Sequence, residues 1–397
     1  MAPPGEIRKI VNIFITLLFI VGFVGGNILR VSFGNGVVIG LYDIAVGTII
    51  TVYLIQGLKG KKFLNLLPAI GLFFLVCLVS LLLNSTRFTL PQLFLSSLYL
   101  MRLVLYTGLY VVVAKGKEST NIWLKRLWVS IVLMGSIGFI QYFFYPDLRN
   151  LYYLGWDPHY YRIVSTILDP NFCGILFALG VFLSLYLYSQ KKLNVFLIGG
   201  GALFFALLFT YSRASYLAFF IGLTVWFFGQ KKTVLLGGIL VLVFGILFLL
   251  PRPGGEGVKL ERTASVVARV GNMSDAISVF RSSAVFGVGF NTLRYIKTSG
   301  VSLEIESHAV SGFDMSILFI LSTTGLVGLA AYGNIVYSLF VLVHKRGRTY
   351  PDMSRLVLVS VCMIGVHGLS VNTYFYSLVL IYLAVLVGVY ENGELKK

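Results

Sequence analysis

Apolar runs of about 20 residues, the length that crosses a bilayer as a helix, recur from one end of the chain to the other with short polar breaks between them. Drawn as spans they cover 10–29, 38–57, 63–83, 92–114, 127–145, 171–189, 193–210, 214–229, 233–250, 313–343, 356–370 and 374–390. The pattern predicts an all-α, polytopic helical membrane protein of about twelve transmembrane helices, organised as a single transmembrane domain over 1–397. The tenth span is long enough to tilt or to extend past the bilayer, and the eighth and eleventh are short. Ile10 to Leu29 is longer than a signal-peptide core and lacks a small-residue cleavage site, so it reads as a retained first helix.

Two breaks are long enough to carry structure. The smaller, 146–170, is rich in aromatic residues, among them Tyr152, Tyr153, Trp156, Tyr160 and Tyr161. The larger, 251–312, opens on Pro251-Arg-Pro-Gly-Gly and continues in an amphipathic stretch, Ser265 to Phe280, that predicts a short surface helix. No internal repeat stands out.

Only 12% of the residues are charged, about half the share of a soluble domain. Cys77, Cys173 and Cys362 fall inside apolar runs, where they make neither a disulfide framework nor a metal cluster. A net charge of +17 would point to nucleic acid in a soluble protein. Here it sorts along the spans instead, and no nucleic-acid partner is expected. With the N-terminus inside, basic residues, mostly lysines, fill the inner segments: Arg8 and Lys9; Lys59, Lys61 and Lys62; Lys115, Lys117 and Lys125 with Arg126; Lys191 and Lys192; Lys231 and Lys232; Lys345 with Arg346, Arg348 and Arg355; Lys396 and Lys397. Such loops orient a membrane protein, so both termini are expected to be cytoplasmic. The other side carries mostly arginines: Arg30, Arg87, Arg149, Arg162, Arg213, Arg252, Arg262, Arg269, Arg281 and Arg294, with Lys259 and Lys297. Orientation does not require them. A polyanionic ligand, phosphate above all, held at the outer surface would. Arg102 and Asp43 lie within spans and are candidates to pair.

Four segments carry candidate chemistry. Thr210-Tyr-Ser-Arg213-Ala-Ser is a hairpin tip without the usual turn residues. It sets a cation at a helix start, where the dipole disfavours it. Either an anion binds there, or Arg213 snorkels to lipid headgroups. Arg162 precedes Asp169-Pro-Asn171, in which Asp169 reads as an N-cap and Pro170 as the first helical residue. Asn171 then needs a partner, another helix or a glycan. Arg269 and Arg281 lie on the predicted surface helix, ahead of Phe286-Gly-Val-Gly-Phe290, a weak phosphate-loop pattern. A headgroup-facing basic helix explains those arginines equally well. His308, close to Glu304 and Glu306, precedes the tenth span and can accept a proton near neutral pH; an interfacial polar residue is the alternative. No His/Cys/Asp/Glu spacing suggests a metal site.

Taken in order, Arg102 in Leu-Met-Arg-Leu, Arg162 with Asp169-Pro-Asn171, Ser212-Arg213, Arg269 with Gly287-Val-Gly289, and His308 with Gly325-Leu-Val-Gly328 resemble the O-antigen ligase and O-antigen polymerase (Wzy-like) superfamily. The resemblance implies a membrane glycosyltransferase of the cytoplasmic (inner) membrane whose active site faces outward. The implied donor is an undecaprenyl-pyrophosphate-linked glycan, used with no cofactor, metal or nucleotide sugar. It implies Arg213 and Arg269, with Arg162 and Arg281, on the pyrophosphate, and His308 at the acceptor hydroxyl. Trp156, Tyr160 and Asn171 suit contacts to sugar. Partners would be membrane lipids, a chain-length regulator or a lipid A core acceptor. The 251–312 loop is short for a ligase, and Arg162 to Gly174 is one residue longer than the polymerase spacing. The reading is a polymerase of lipid-linked repeat units, with a ligase as the alternative. A transporter of lipid-linked sugars would place its polar groups near the midplane in paired repeats.

Overall fold

Backbone in hydrocarbon must satisfy its own N–H and C=O groups, so each apolar run closes into a helix. A computed structural model describes residues 4–33, 37–58, 63–228, 230, 232–260, 264–297 and 312–393. Its helices are α1 (Pro4–Gly25), α2 (Leu41–Gln56), α3 (Leu67–Leu83), α4 (Leu90–Lys115), α5 (Thr120–Phe144), α6 (Pro170–Lys191), α7 (Asn194–Leu208), α8 (Arg213–Phe228), α9 (Thr233–Leu249), α10 (Ala264–Ser282), α11 (Leu293–Lys297), α12 (Ser316–Arg346), α13 (Pro351–His367) and α14 (Ser377–Asn392). Every predicted span holds a helix, and α10 is the predicted surface helix. Between α1 and α2 lies a small antiparallel hairpin, β1 (Arg30–Ser32) with β2 (Val38–Gly40), so the second helix starts later than its apolar run does.

The protein is thus an all-α polytopic membrane protein. Among the described residues, helices α4, α5, α6 and α12 are long and apolar enough to cross a membrane, and seven shorter apolar helices accompany them. Helix α6 is the hub, packed against α5, α7, α8 and α13 and buried along most of its length. Helix α9 rests on α8 and turns Val234, Val241, Phe244 and Phe248 outward, as a lipid-facing helix does. At the end of α14 the Glu391 carboxylate accepts from the backbone N–H groups of Asn65 and Leu66, and Tyr350 Oη donates to Gly393 O. Arg126, counted above among the inner-loop charges, is 2% exposed and forks onto Glu118 at 2.5 and 2.7 Å. It closes a buried pair and adds nothing to the exposed charge.

The tenth span is not one continuous helix. At Gly325 the backbone leaves helical geometry (φ 67°, ψ −162°). The segment 284–289 lies against the break. Leu326 and Val327 donate N–H to Ala284 O and Val285 O, while Val288 and Gly289 donate to Ser322 O and Thr323 O. Ser80 Oγ of α3 sits 2.7 Å from Thr323 O and 2.6 Å from Phe286 O. Non-helical backbone inside a membrane protein persists only where protein satisfies it, and this plug does so. A Cβ on Gly325 or Gly287 would fall against the facing backbone. The Gly-Val-Gly pattern is therefore a packing device. The amides of 287–289 are spent on the carbonyls of Ser283, Ser322 and Thr323, not on phosphate.

Candidate active site

Arg162, Arg213 and Arg269 come together near the starts of α6 and α8. Asp169 caps α6 as predicted, its Oδ1 accepting from Asn171 N (2.6 Å) and Phe172 N (3.2 Å). Burial pushes the Asp169 carboxyl up, against the pull of those two amides. The turn into α8 has no glycine; Tyr211 takes the left-handed conformation (φ 50°). Arg162 explains how this is held. It is 6% exposed and donates Nε to Thr210 O at 2.8 Å and Nη2 to Tyr211 O at 3.4 Å. Tyr211 Oη donates in turn to Pro251 O. Arg162 thus supports the tip that carries Arg213.

Gly174 lets the two helix starts touch, since a Cβ there would strike Ser215. Ser212 Oγ donates to Asn171 Oδ1 at 2.8 Å across the gap. Two helix N-termini therefore lie side by side, each at the positive end of its dipole, with the first amides of α6 already taken by the Asp169 cap.

Arg213 and Arg269 reach this place from different elements. Arg213, half-buried at the start of α8, donates Nη1 to Leu260 O at 3.0 Å. Arg269, half-buried on α10, has Asp314, Arg213 and Asp169 as charged neighbours. Burial lowers its pKa; Asp314 and Asp169 oppose this and Arg213 adds to it. A guanidinium starts so high that it stays charged. Asn272 Oδ1 accepts from Asp314 N and ties α10 to the start of α12.

Arg269, Asp169, Asn171 and Asp314 line a groove of ≈ 2830 Å³. Its far wall is formed by α2, the β hairpin and α4, with Arg30 and Arg102. Arg102 pairs with Asp43 at 2.9 Å, as their positions within spans suggested. Trp156 lines the groove with Arg30 stacked 4.3 Å from its ring centre. Tyr160 lies outside the groove lining, under Arg149 at 4.6 Å and beside Tyr161. Arg281 is exposed on the last turn of α10 and does not line the groove. His308, Glu304 and Glu306 lie outside the described residues.

One residue the sequence reading passed over stands behind the site. His367, the last residue of α13, is fully buried and joins Ser215 to Thr373. The only sequence signal was a histidine closing a helix with no charge near it.

Residues 198–333 match the family described as O-antigen ligase. The stretch starts within α7 and ends within α12, taking in Arg213, Arg269 and the Gly325 break; Arg162, Asn171 and His367 lie outside it. The resemblance read from the sequence is borne out over that stretch. No curated protein matches the chain.

Proposed function

We propose that this chain, a membrane protein with the O-antigen ligase segment of a ligase- or polymerase-type glycosyltransferase, joins undecaprenyl-pyrophosphate-linked oligosaccharide repeat units into O-antigen or exopolysaccharide. The observation that carries the reading is that Arg269 lines the groove beside two adjacent helix starts, with Arg213, which lies outside the groove lining, as its charged neighbour. Pyrophosphate is a good leaving group once its charge is neutralised, and fixed guanidinium groups in a half-buried site supply that neutralisation. In the reaction the acceptor hydroxyl attacks the anomeric carbon of the donor sugar. A new glycosidic C–O bond forms, and the C–O bond to pyrophosphate breaks. Its electron pair leaves with the pyrophosphate onto Arg213 and Arg269. The hydroxyl proton goes to a base, a role the resemblance gives to His308. No metal takes part in this scheme.

With the lysine-rich loops cytoplasmic, the groove opens on the extracytoplasmic face of the inner membrane. Polymerisation needs two lipid-linked substrates side by side. The groove offers arginines on both walls, Arg269 on one and Arg30 on the other. The ligase reading is favoured by the description of the matching family. The two differ in what the product still carries. A polymer keeps a polyprenyl pyrophosphate at its reducing end, so mild acid releases the product glycan from lipid. A ligase product has its reducing-end sugar joined glycosidically to the acceptor and carries no pyrophosphate. Pyrophosphate-free product made only when core acceptor is supplied would replace polymerase by ligase.

A further inference from the structure

Thr373, His367, Ser215, Ser212 and Asn171 form one line of hydrogen bonds running from behind the site to the groove. Thr373 Oγ1 is 2.6 Å from His367 Nδ1, His367 Nε2 is 3.1 Å from Ser215 Oγ, and Ser215 Oγ is 2.9 Å from Ser212 Oγ. Ser212 Oγ is 2.8 Å from Asn171 Oδ1. All but Asn171 are buried away from water.

The donors can be assigned in sequence. A carboxamide oxygen only accepts, so the Ser212 proton is committed to Asn171. Ser212 Oγ then accepts from Ser215 at 2.9 Å, the alternative acceptor, Asn171 O, being farther at 3.1 Å. With its proton so directed, Ser215 Oγ accepts from His367 Nε2–H. Nδ1 is left as acceptor and takes the Thr373 proton, whose alternative, Val371 O, is farther at 3.2 Å. One tautomer of a neutral imidazole satisfies every link, the usual way a second hydrogen bond fixes a histidine. The consequence lies at the other end. With its oxygen held by Ser212, the Asn171 carboxamide has Nδ2 left to donate, and Asn171, Asp169 and Arg269 all line the groove.

We propose that His367 is a positioning residue: through Ser215 and Ser212 it fixes the Asn171 carboxamide so that Nδ2 donates to an oxygen of a bound pyrophosphate. This rests on the function proposed above and names a neutral donor that completes the arginine site. His367 does not touch the substrate. Its effect passes through two hydroxyls, so losing any link frees Asn171 to rotate.

The test is a double-mutant cycle on the purified full chain, read by binding of undecaprenyl pyrophosphate itself and by kcat and KM with a lipid-linked glycan. His367→Leu and Asn171→Ala should each weaken binding by about tenfold to a hundredfold, the worth of a hydrogen bond to a charged group. In kinetics the loss should fall mainly on KM for the donor. The double variant should bind within about threefold of the weaker single, because coupled residues are not additive. His367→Gln, which keeps an N–H for Ser215, should recover most of the affinity. Should His367→Leu fail to fold, Ser215→Ala breaks the same line and takes its place in the cycle. Multiplied losses in the double variant would overturn the proposal, as would wild-type binding by Ser215→Ala. Wild-type protein that binds undecaprenyl pyrophosphate but forms no glycosidic bond would defeat the polymerase reading and leave this cycle intact.

Discussion

Arg213 and Arg269 come from a helix start and a surface helix more than fifty residues apart in sequence; Arg213 spends part of its guanidinium on Leu260 O, and Arg269 has Asp314 as a charged neighbour. What remains must grip a pyrophosphate as a fork, which an ammonium cannot do. Arg213→Lys and Arg269→Lys should therefore lose most transfer activity at normal expression, whereas Arg87→Lys, on an exposed turn after α3, should stay close to wild type. Equal tolerance at all three positions in a transfer assay would reduce the arginine face to headgroup contact. His308 carries the proposed base role. Its replacement by Ala should slow transfer by roughly 10²–10⁴-fold while undecaprenyl pyrophosphate still binds. Wild-type activity should fall as pH drops through the imidazole pKa, since only the neutral ring accepts a proton. A flat pH profile, or an unimpaired variant, would move the role to Glu304 or Glu306.

Helix α12 shows how an element can be broken on purpose. Its upper turns end at Gly325 in a conformation closed to other residues, and the carbonyls and amides so released are taken by 284–289. Gly325→Ala combines a left-handed φ with a Cβ against Val285 O. It should cost at least about 1–3 kcal/mol, read as a lowered unfolding midpoint in detergent; an unchanged midpoint would mean that the break is not structural. This break was not legible in the sequence. The run 313–343 is apolar on average, with Ser322-Thr-Thr-Gly325 as its one local hint, and the break depends on partners some forty residues upstream that no local pattern reveals. The same holds for Arg162, which reads as a ligand-facing charge until the turn carbonyls it serves are in view. His367 is a similar case, since its partners lie on α8 and in the loop after α13. What depends on local chemistry was legible: the Asp169 cap, the Pro170 start, the amphipathic α10 and the hydropathic spans themselves.

For the whole molecule, the sequence sorts most lysines and most arginines into alternate loops, and the groove is lined by Arg30, Arg102, Arg269 and Arg294. The proposed orientation places the lysine-rich loops in the cytoplasm. Single cysteines at Lys191 and at Gly254, in a background lacking Cys77, Cys173 and Cys362, should differ in labelling by an impermeant thiol reagent applied to intact cells. Gly254 should label and Lys191 should not; the reverse would invert the protein and put the groove on the side away from its donor. The central claim, that the groove joins lipid-linked repeat units, is tested most directly by incubating the purified protein with one defined undecaprenyl-pyrophosphate-linked oligosaccharide and resolving the products by size. The account predicts a ladder with steps of one repeat unit, formed without any other acceptor. No product, or a single transfer that appears only when a second kind of acceptor is added, would contradict it.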